Sequence, residues 1–280
     1  MYWQTARHRI DLSRPKVMGI VNVTPDSFSD GGSHDGERAA LAHCERLLSQ
    51  GADILDIGGE STRPGSRMPP LEEELRRVVP VVRGAVRLGV PVSVDTSRTE
   101  VIDAVLELGA DIINDVRALT WPGALERVAA HPSAGVCLMH MQGEPETMQL
   151  EPRYQDVVAE VRAALALRLA VVRQAGIVDA RVTLDPGYGF GKTLEHNLAL
   201  WQGQQALLEL GPPLLVGWSR KGTLGQITGR PVEERLVPSV AAALASVARG
   251  ARIVRVHDVA ATVDALKIWS AAGLGLADPV

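Results

Sequence analysis

Residues 17–32, VMGIVNVTPDSFSDGG, decide how this chain is organised. The stretch begins with an apolar run at 17–23 that is rich in β-branched residues and too short for an ordinary helix, so it predicts a buried strand. Asn22 places an amide near the end of that run, and small, polar, loop-forming residues follow from 24 to 32. The stretch therefore predicts a buried strand, a polar side chain at its exit, and then a loop.

The same pattern recurs along the chain. Further strands are predicted at 53–57, 91–94, 111–114, 135–140, 181–184, 213–216 and 252–256. Helical spacing of apolar residues lies between them, at 37–50, 71–88, 101–108, 154–175, 194–210, 233–249 and 261–272. Pro80 is expected to kink or split the second of these helices. Gly51, Gly109 and Gly250 each stand where a helix gives way to a strand, as expected of a helix stop.

Eight strand-then-helix units predict an α/β fold, the (β/α)8 TIM barrel. The alternative is an open doubly wound sheet, which is also parallel. The count of eight, without a glycine-rich dinucleotide turn after the first strand, favours the barrel. The sequence contains no linker-like segment, so we predict one domain over residues 1–280, with residues 1–16 as an N-terminal extension that caps the barrel.

Composition restricts the class of protein. The chain has 280 residues, 46% hydrophobic and 22% charged, and its net charge of −4 does not suggest a nucleic-acid or membrane surface. No apolar run approaches the ~20 residues that span a bilayer, and the N-terminus lacks an apolar signal core, so we expect a cytoplasmic protein. Cys44 and Cys137 lie in dissimilar contexts, which favours buried free thiols over a disulfide.

Polar side chains stand at the carboxyl ends of all the predicted barrel strands, which meet at the face where such barrels build active sites. They are Asn22, Asp56, Asp95, Asn114 with Asp115, His140, Asp185, Ser219 to Lys221, and Arg255 with His257. A single one is as readily a strand cap as a functional group. Their presence at every exit indicates an active site.

Two glycine-rich loops are candidates for anion binding. The loop DIGGESTRPG, 56–65, offers unobstructed backbone N–H groups, two hydroxyls and Arg63, a set that suits an anionic ester or diphosphate. The loop GYGFGKT, 187–193, resembles a Walker A loop. It has three residues between Gly187 and Gly191 where that motif requires four, so nucleotide hydrolysis is not expected.

The charged exits predict a pocket with an acidic floor and a basic rim. The floor is expected to contain Asp95, Asp185 and Asn114, and the rim Arg63, Arg255 and His257. Such a pocket fits a ligand with hydrogen-bond donors at one end and phosphate at the other. Met139 and His140 are more simply interpreted as packed and satisfied residues. No zinc-binding spacing occurs in the sequence, whereas Asn22 with diphosphate oxygens and waters would suit Mg²⁺.

Eight motifs follow one another in a single order between residues 17 and 258. They are NVTPDSFSDGG (22–32), DIGGESTRPG (56–65), VDTS (94–97), IND (113–115), MHMQG (139–143), DPGYGFGK (185–192), GWSRK (217–221) and RVHD (255–258). In this order they resemble the bacterial dihydropteroate synthase family of folate biosynthesis, whose members are pterin-binding barrels. Eight ordered segments are far more specific than any one of them.

The resemblance implies a transferase that condenses (7,8-dihydropterin-6-yl)methyl diphosphate with 4-aminobenzoate, releasing 7,8-dihydropteroate and diphosphate. It implies that Asp95, Asn114, Asp185 and Lys221 bind pterin, that Asn22, Thr62, Arg63, Arg255 and His257 surround the diphosphate, and that Asn22 binds Mg²⁺. It further implies that Phe28, Pro64, Phe190 and Ser219 form the 4-aminobenzoate slot, where sulfonamides compete. Asp56 and Met139 would support these groups from behind, and the catalytic residues would be Arg63, Lys221, Arg255 and His257. A homodimer is also implied.

The chemistry predicts a dissociative, SN1-like substitution. An electron-rich pterin delocalises positive charge at its exocyclic methylene, and no side chain stands out as a strong base, so catalysis rests on stabilising the departing diphosphate. Loops 24–36 and 61–69 are expected to close over the site. The alternatives are a pterin-binding methyltransferase barrel serving a corrinoid partner and a catalytically silent pterin-binding paralogue.

Overall fold

A closed barrel of parallel strands forms the centre of the molecule. The computed structural model describes residues 1–24 and 33–275, and of residues 33–35 it describes the backbone. The barrel strands are β3 (Lys16–Asn22), β4 (Ile54–Gly58), β5 (Val92–Asp95), β6 (Ile112–Asp115), β7 (Gly135–Met139), β8 (Val182–Asp185), β9 (Leu214–Val216) and β10 (Ala251–Val256). Each strand pairs with the next along the chain, and β10 pairs with β3. The predicted barrel is confirmed, with each strand within one or two residues of its predicted bounds.

Helices follow the strands and surround the barrel. They are α1 (Ser33–Ser49), α2 (Leu71–Ala85), α3 (Thr99–Glu107), α4 (Ala124–Ala130), α5 (Val157–Gln174), α6 (Leu194–Gln202), α7 (Gly222–Thr228), α8 (Leu236–Ala248) and α9 (Val259–Ala271). Single 3-10 turns lie at Val86–Leu88, Asp179–Arg181, Gln204–Leu210 and Val232–Glu234. The expected split at Pro80 is wrong, because α2 continues through it. Buried Val78, Val81 and Val82 on either side hold the helix on the barrel and offset the lost backbone hydrogen bond.

A short antiparallel hairpin, β1 (Tyr2–Gln4) and β2 (Arg9–Asp11), precedes the barrel. Its Trp3 is fully buried in a second apolar cluster with Met18, Ile54 and Ile112, which lie near the starts of barrel strands. The Trp3 indole Nε1 donates to the carbonyl of Arg181, 3.0 Å away and directly before β8. The hairpin therefore lies against the N-terminal ends of the strands, opposite the polar exits.

Strand register brings the polar exits to one end of the barrel. Asn22 is aligned with Gly58, and Gly58 with Asp95 on the next strand. Asp95 in turn is aligned with Asn114. The predicted helix stops Gly51, Gly109 and Gly250 all have positive φ, between 91° and 96°, a conformation that glycine adopts without steric cost. At each of these glycines the helix ends and the backbone turns into the next barrel strand.

Two further features bear on the class of protein. Both cysteines, Cys44 and Cys137, are buried free thiols, as predicted. In the part of the chain that the structure describes, none of the helices combines the length and apolarity that crossing a bilayer requires.

Candidate active site

A cavity of about 1320 Å³ lies at the carboxyl ends of the barrel strands. The predicted site residues that line it are Asn22, Thr62, Arg63, Pro64, Asp95, Asn114, Met139, Asp185, Phe190, Ser219, Lys221, Arg255 and His257. Asp56 lies beneath this lining and is fully buried. Phe28 and most of the predicted loop 24–36 fall outside the described residues, and α1 already begins at Ser33.

The floor of the cavity is a hydrogen-bonded cluster of Asp56, Asp95, Asn114 and Arg255, here called the floor cluster. Arg255 Nε donates to Asp56 Oδ2 at 2.6 Å, and its Nη2 donates to Asp95 Oδ2 at 2.9 Å. The Asn114 amide Nδ2 donates to Asp56 Oδ2 at 3.2 Å. Arg255 was expected in the basic rim; instead it lies among the floor carboxylates, because buried anions require a cation close by.

The floor cluster has one cation for two carboxylates. Burial raises the pKa of Asp95 to about 8, Arg255 opposes this, and Asp56 and Glu60 add to it. Burial lowers the pKa of the Arg255 guanidinium, but Asp56 and Asp95 raise it by more, so the group stays charged. A ligand that donates hydrogen bonds to Asp95 therefore favours its ionised form and changes how many protons the floor holds.

Asp185 and Lys221 also line the cavity. The Asp185 carboxylate accepts the backbone N–H of Gly187 at 2.7 Å, and burial raises its pKa while Lys221 lowers it. Burial lowers the pKa of Lys221 to about 8, against the opposing effect of Asp185. The Lys221 ammonium donates to the carbonyl of Tyr188 and lies 4.6 Å from the centre of the Phe190 ring. An acceptor and a donor are thus available side by side.

The loop at 187–193 is organised around a buried lysine rather than a phosphate. Lys192 Nζ donates to the carbonyls of Gly187 and Phe190, at 2.9 and 3.0 Å, and lies 3.0 Å from His140 Nδ1. Burial lowers the pKa of Lys192 to about 7. The loop carbonyls face the lysine, so this segment holds the Phe190 ring in place. His140 is a satisfied histidine, as expected, and burial beside Lys192 lowers its pKa to about 3.

His257 is neutral, not cationic. Burial, together with Arg255 and Arg220, lowers its pKa to about 3, so its place among the cations of the predicted rim is wrong. Its Nδ1 lies 2.9 Å from the Ser219 hydroxyl, which also accepts the His257 backbone N–H at 3.1 Å. That hydroxyl has a second lone pair and a hydrogen of its own, so it can serve either tautomer of the His257 ring.

The loop that follows β4 is tied at several points. The hydroxyls of Ser61 and Ser66 are 2.9 Å apart, and the N–H of Gly65 donates to the carbonyl of Pro145 at 3.0 Å. Thr62 is half-buried, whereas Arg63 and Pro64 are exposed at the cavity mouth. Of the three cations predicted for the rim, Arg63 is the one that lies there.

Sequence reasoning missed Glu60, Arg117 and Lys192. Glu60 lines the cavity and accepts from Arg117 Nη2 at 3.3 Å. Arg117 belongs to none of the quoted motifs, so nothing in the sequence singled it out. Lys192 was quoted in a motif, and the three alternating glycines before it were a signal for a loop wrapped around its side chain.

Comparison with known proteins places these residues in a family. The family described as "Pterin binding enzyme" matches residues 18–257. The dihydropteroate synthase of Neisseria meningitidis serogroup B is 56% identical over 280 residues, covering 98% of each chain. A structure of Xanthomonas albilineans dihydropteroate synthase with 4-aminobenzoic acid superposes with a TM-score of 0.92 at 51% identity, covering 98% of this chain and 99% of that one.

A second structure of the Xanthomonas albilineans enzyme, in complex with 7,8-dihydropteroate, has a TM-score of 0.88 at 49% identity and covers 96% of this chain and 98% of that one. The resemblance indicated by the ordered motifs is therefore confirmed over nearly the whole length. The chain belongs to the dihydropteroate synthase family of pterin-binding enzymes.

Proposed function

We propose that the chain condenses (7,8-dihydropterin-6-yl)methyl diphosphate with 4-aminobenzoate, giving 7,8-dihydropteroate and diphosphate. It is an enzyme of the transferase class, as its family is. One observation carries the proposal: Asp95, Asp185 and Lys221 line the same cavity that has Arg63 at its mouth. One ligand can therefore donate hydrogen bonds from its pterin to Asp95 and Asp185 and place its diphosphate beside Arg63.

The pterin is held by Asp95, Asn114, Asp185 and Lys221. A pterin has an exocyclic amino group and ring N–H groups, which donate well to buried carboxylates. Asn114 uses its Nδ2 on Asp56. Its Oδ1 can accept from the ligand, and the second hydrogen of Nδ2 can donate to it. Lys221 supplies a donor to the acceptor edge of the ring.

The diphosphate lies toward Thr62, Arg63 and Asn22, with Arg255 and His257 beneath it. Arg63 contributes an exposed guanidinium, and His257 a neutral imidazole. Phe190, Pro64 and Ser219 form one side of the 4-aminobenzoate slot, with Phe28 from the segment outside the described residues. Met139 is 5% exposed and forms part of the cavity wall.

Mg²⁺ fits this site only as a metal shared with the diphosphate. Within residues 1–24 and 33–275 there is no group of three or more His, Cys, Asp or Glu side chains that could hold a metal. Asn22 offers one amide oxygen to the cavity, and Mg²⁺ commonly takes one or two protein ligands together with phosphate oxygens and waters. A bound Mg²⁺ would neutralise charge on the departing diphosphate.

The substitution is dissociative. Arg63 and Arg255 stabilise the diphosphate as its bond to the methylene breaks, and the buried cavity keeps water from the cationic pterin that forms. His140 and His257, both with a pKa lowered to about 3, are poor bases. That suits an arylamine nucleophile, which attacks as the neutral amine and needs no strong base.

Neither alternative function draws support from the site. Thr62, Arg63 and His257 all line the cavity, and a catalytically silent pterin-binding paralogue would not need these anion-side groups. A methyltransferase barrel would not need the set Ser219, Arg220 and Lys221, which also lines the cavity.

Assembly and location complete the proposal. The chain forms one domain over residues 1–280, with residues 1–16 capping the barrel, and acts in the cytoplasm as a homodimer without nucleic-acid or membrane partners. Apolar side chains on and beside α7 and α8 are exposed, among them Ile227 at 50%, Leu236 at 45% and Val237 at 72%, which supports a subunit contact there. Light scattering on the purified protein measures the number of subunits.

The activity is tested by diphosphate release in the presence of each substrate alone and of both together. We expect dihydropteroate, identified by chromatography, only with both substrates. Absence of that product would refute the function. In a single turnover, a dissociative order predicts diphosphate release that begins before 4-aminobenzoate is added, and release strictly dependent on the amine would refute the order.

A further inference from the structure

The turn that follows β6 is strained yet firmly held. Ala118 and Leu119 have φ of 52° and 59°, in the left-handed region that residues with a side chain seldom adopt. The Asp115 carboxylate accepts from the backbone N–H groups of Arg117 and Leu119, at 2.8 and 2.6 Å. Arg168 donates to the carbonyls of Ala118 and Leu119. Strain that a structure holds in place this thoroughly marks a segment whose placement matters for function.

What this turn places is the side chain of Arg117, which is only 8% exposed. Its Nη1 donates to the Ser97 hydroxyl at 3.2 Å, and its Nη2 to Glu60 Oε1 at 3.3 Å. Its Nε donates to Glu144 Oε2 at 2.8 Å. One guanidinium therefore joins the loops that follow β4, β5 and β7 to its own.

Glu60 is the partner closest to the chemistry. Its side chain is 4% exposed and lines the active-site cavity. It lies two residues before Thr62 and three before Arg63, which we assign to the diphosphate side. It is also one of the charges that, after burial, raise the pKa of Asp95. A carboxylate without a counter-charge at this point would repel a diphosphate.

The segment that carries Glu144 also contacts the loop at 61–67. The Gly65 N–H donates to the Pro145 carbonyl at 3.0 Å, and Arg67 pairs with Glu146 at 3.2 Å. That second pair is exposed and contributes little. Arg117, which donates to both Glu60 and Glu144, is thus a buried charge that connects the loop at 61–67 with the segment at 143–148.

We propose that Arg117 is a positioning residue for the diphosphate end of the substrate: it cancels the charge of Glu60 and holds the loop at 61–67 against the segment at 143–148. The inference rests on the proposed function. It assigns no contact between Arg117 and the substrate. Its effect acts through Glu60, so replacing Arg117 should impair diphosphate recognition more strongly than 4-aminobenzoate recognition, to which Pro64 of the same loop contributes.

The experiment compares Arg117→Gln, Glu60→Gln and the double variant with the wild type. For Arg117→Gln we expect a KM for the pterin diphosphate raised by about ten-fold or more, because an unpaired buried charge faces an anion. The KM for 4-aminobenzoate, which depends on the same loop only through Pro64, should rise by no more than about three-fold. In the double variant that charge is absent, so the KM for the diphosphate should return to within about three-fold of the wild type. Arg127→Gln removes an exposed ion pair between Arg127 of α4 and Asp103 of α3 and serves as the matched control.

Three results would overturn the proposal: equal increases in both KM values, a double variant no better than Arg117→Gln, or no change at all. If Arg117→Gln does not fold, Arg117→Lys and the double variant carry the test, because the first keeps the charge and the second removes both charges. Affinity for inorganic diphosphate, measured by calorimetry on the same proteins, separates this inference from the proposed function. A wild type that makes no dihydropteroate refutes the function, while a diphosphate affinity that Arg117→Gln leaves unchanged refutes the role of Arg117.

Discussion

Arg255 and Asp56 are joined by a hydrogen-bonded ion pair of 2.6 Å although 199 positions separate them in the chain. The arginine from the last barrel strand reaches across β3 to the carboxylate of β4 and then to Asp95 of β5, at 2.9 Å. A buried charge is strongly destabilising without its partner. The floor of the site is therefore also part of what stabilises the barrel.

Replacing Arg255 with methionine should both abolish turnover and destabilise the fold. The variant leaves Asp56 and Asp95 buried without their cation, for which we expect a loss of about 3–5 kcal/mol in the free energy of unfolding near neutral pH. The loss should be smaller at pH 5 than at pH 8, because Asp95, whose pKa is raised to about 8, is protonated at pH 5 and then needs no cation. Urea unfolding at pH 5 and pH 8 measures it, with Arg127→Met as the control. A pH-independent loss would contradict this account.

Asp95→Asn should change how stability depends on pH. Because the pKa of Asp95 in the folded protein is raised from 3.8 to about 8, the folded state keeps a proton that the unfolded chain gives up. The contribution of this group to stability therefore falls as pH rises through that window. We expect the wild type to lose stability relative to Asp95→Asn between pH 4 and pH 8 in urea unfolding. A constant difference would show that Asp95 is ionised throughout.

Lys192→Met should impair 4-aminobenzoate recognition more than pterin recognition. The substitution removes the donor for the carbonyls of Gly187 and Phe190, which frees the loop that carries the Phe190 ring. We expect a loss of about 1–3 kcal/mol in unfolding free energy and a KM that rises selectively for 4-aminobenzoate. Lys267→Met, at an exposed lysine on α9, is the control. An unchanged KM for 4-aminobenzoate would mean that the loop keeps its shape without the ammonium group.

Ala118→Gly should stabilise the protein. Glycine relieves the left-handed strain at φ 52°, and part of that gain is offset by the larger entropy that glycine has in the unfolded chain, for a net gain of about 0.5 kcal/mol. Ala199→Gly, exposed within α6, should instead lose about 1 kcal/mol. Thermal unfolding of both variants measures these two changes in stability. If both variants are destabilised, the backbone at Ala118 is not strained.

The strands and long helices could be predicted because the spacing of apolar residues records which face is buried, a local property of the chain. The hairpin strands β1 and β2 and the short helices α4 and α7 carry too few residues for such a pattern, and they were missed. The split expected at Pro80 does not occur because packing by the neighbouring valines outweighs the local cost of proline.

The identities of the side chains at the strand exits, in their order, were enough to indicate the family, the pocket and its candidate residues. The charge of His257 and the location of Arg255 could not be predicted in the same way. His257 is neutral and Arg255 lies in the floor because burial and the neighbouring charges determine both. Glu60, Arg117 and Lys192 gain their roles from partners far away in the chain. Such contacts exist only after the barrel closes, because closure is what brings distant loops within hydrogen-bonding distance and removes the water that would otherwise screen their charges.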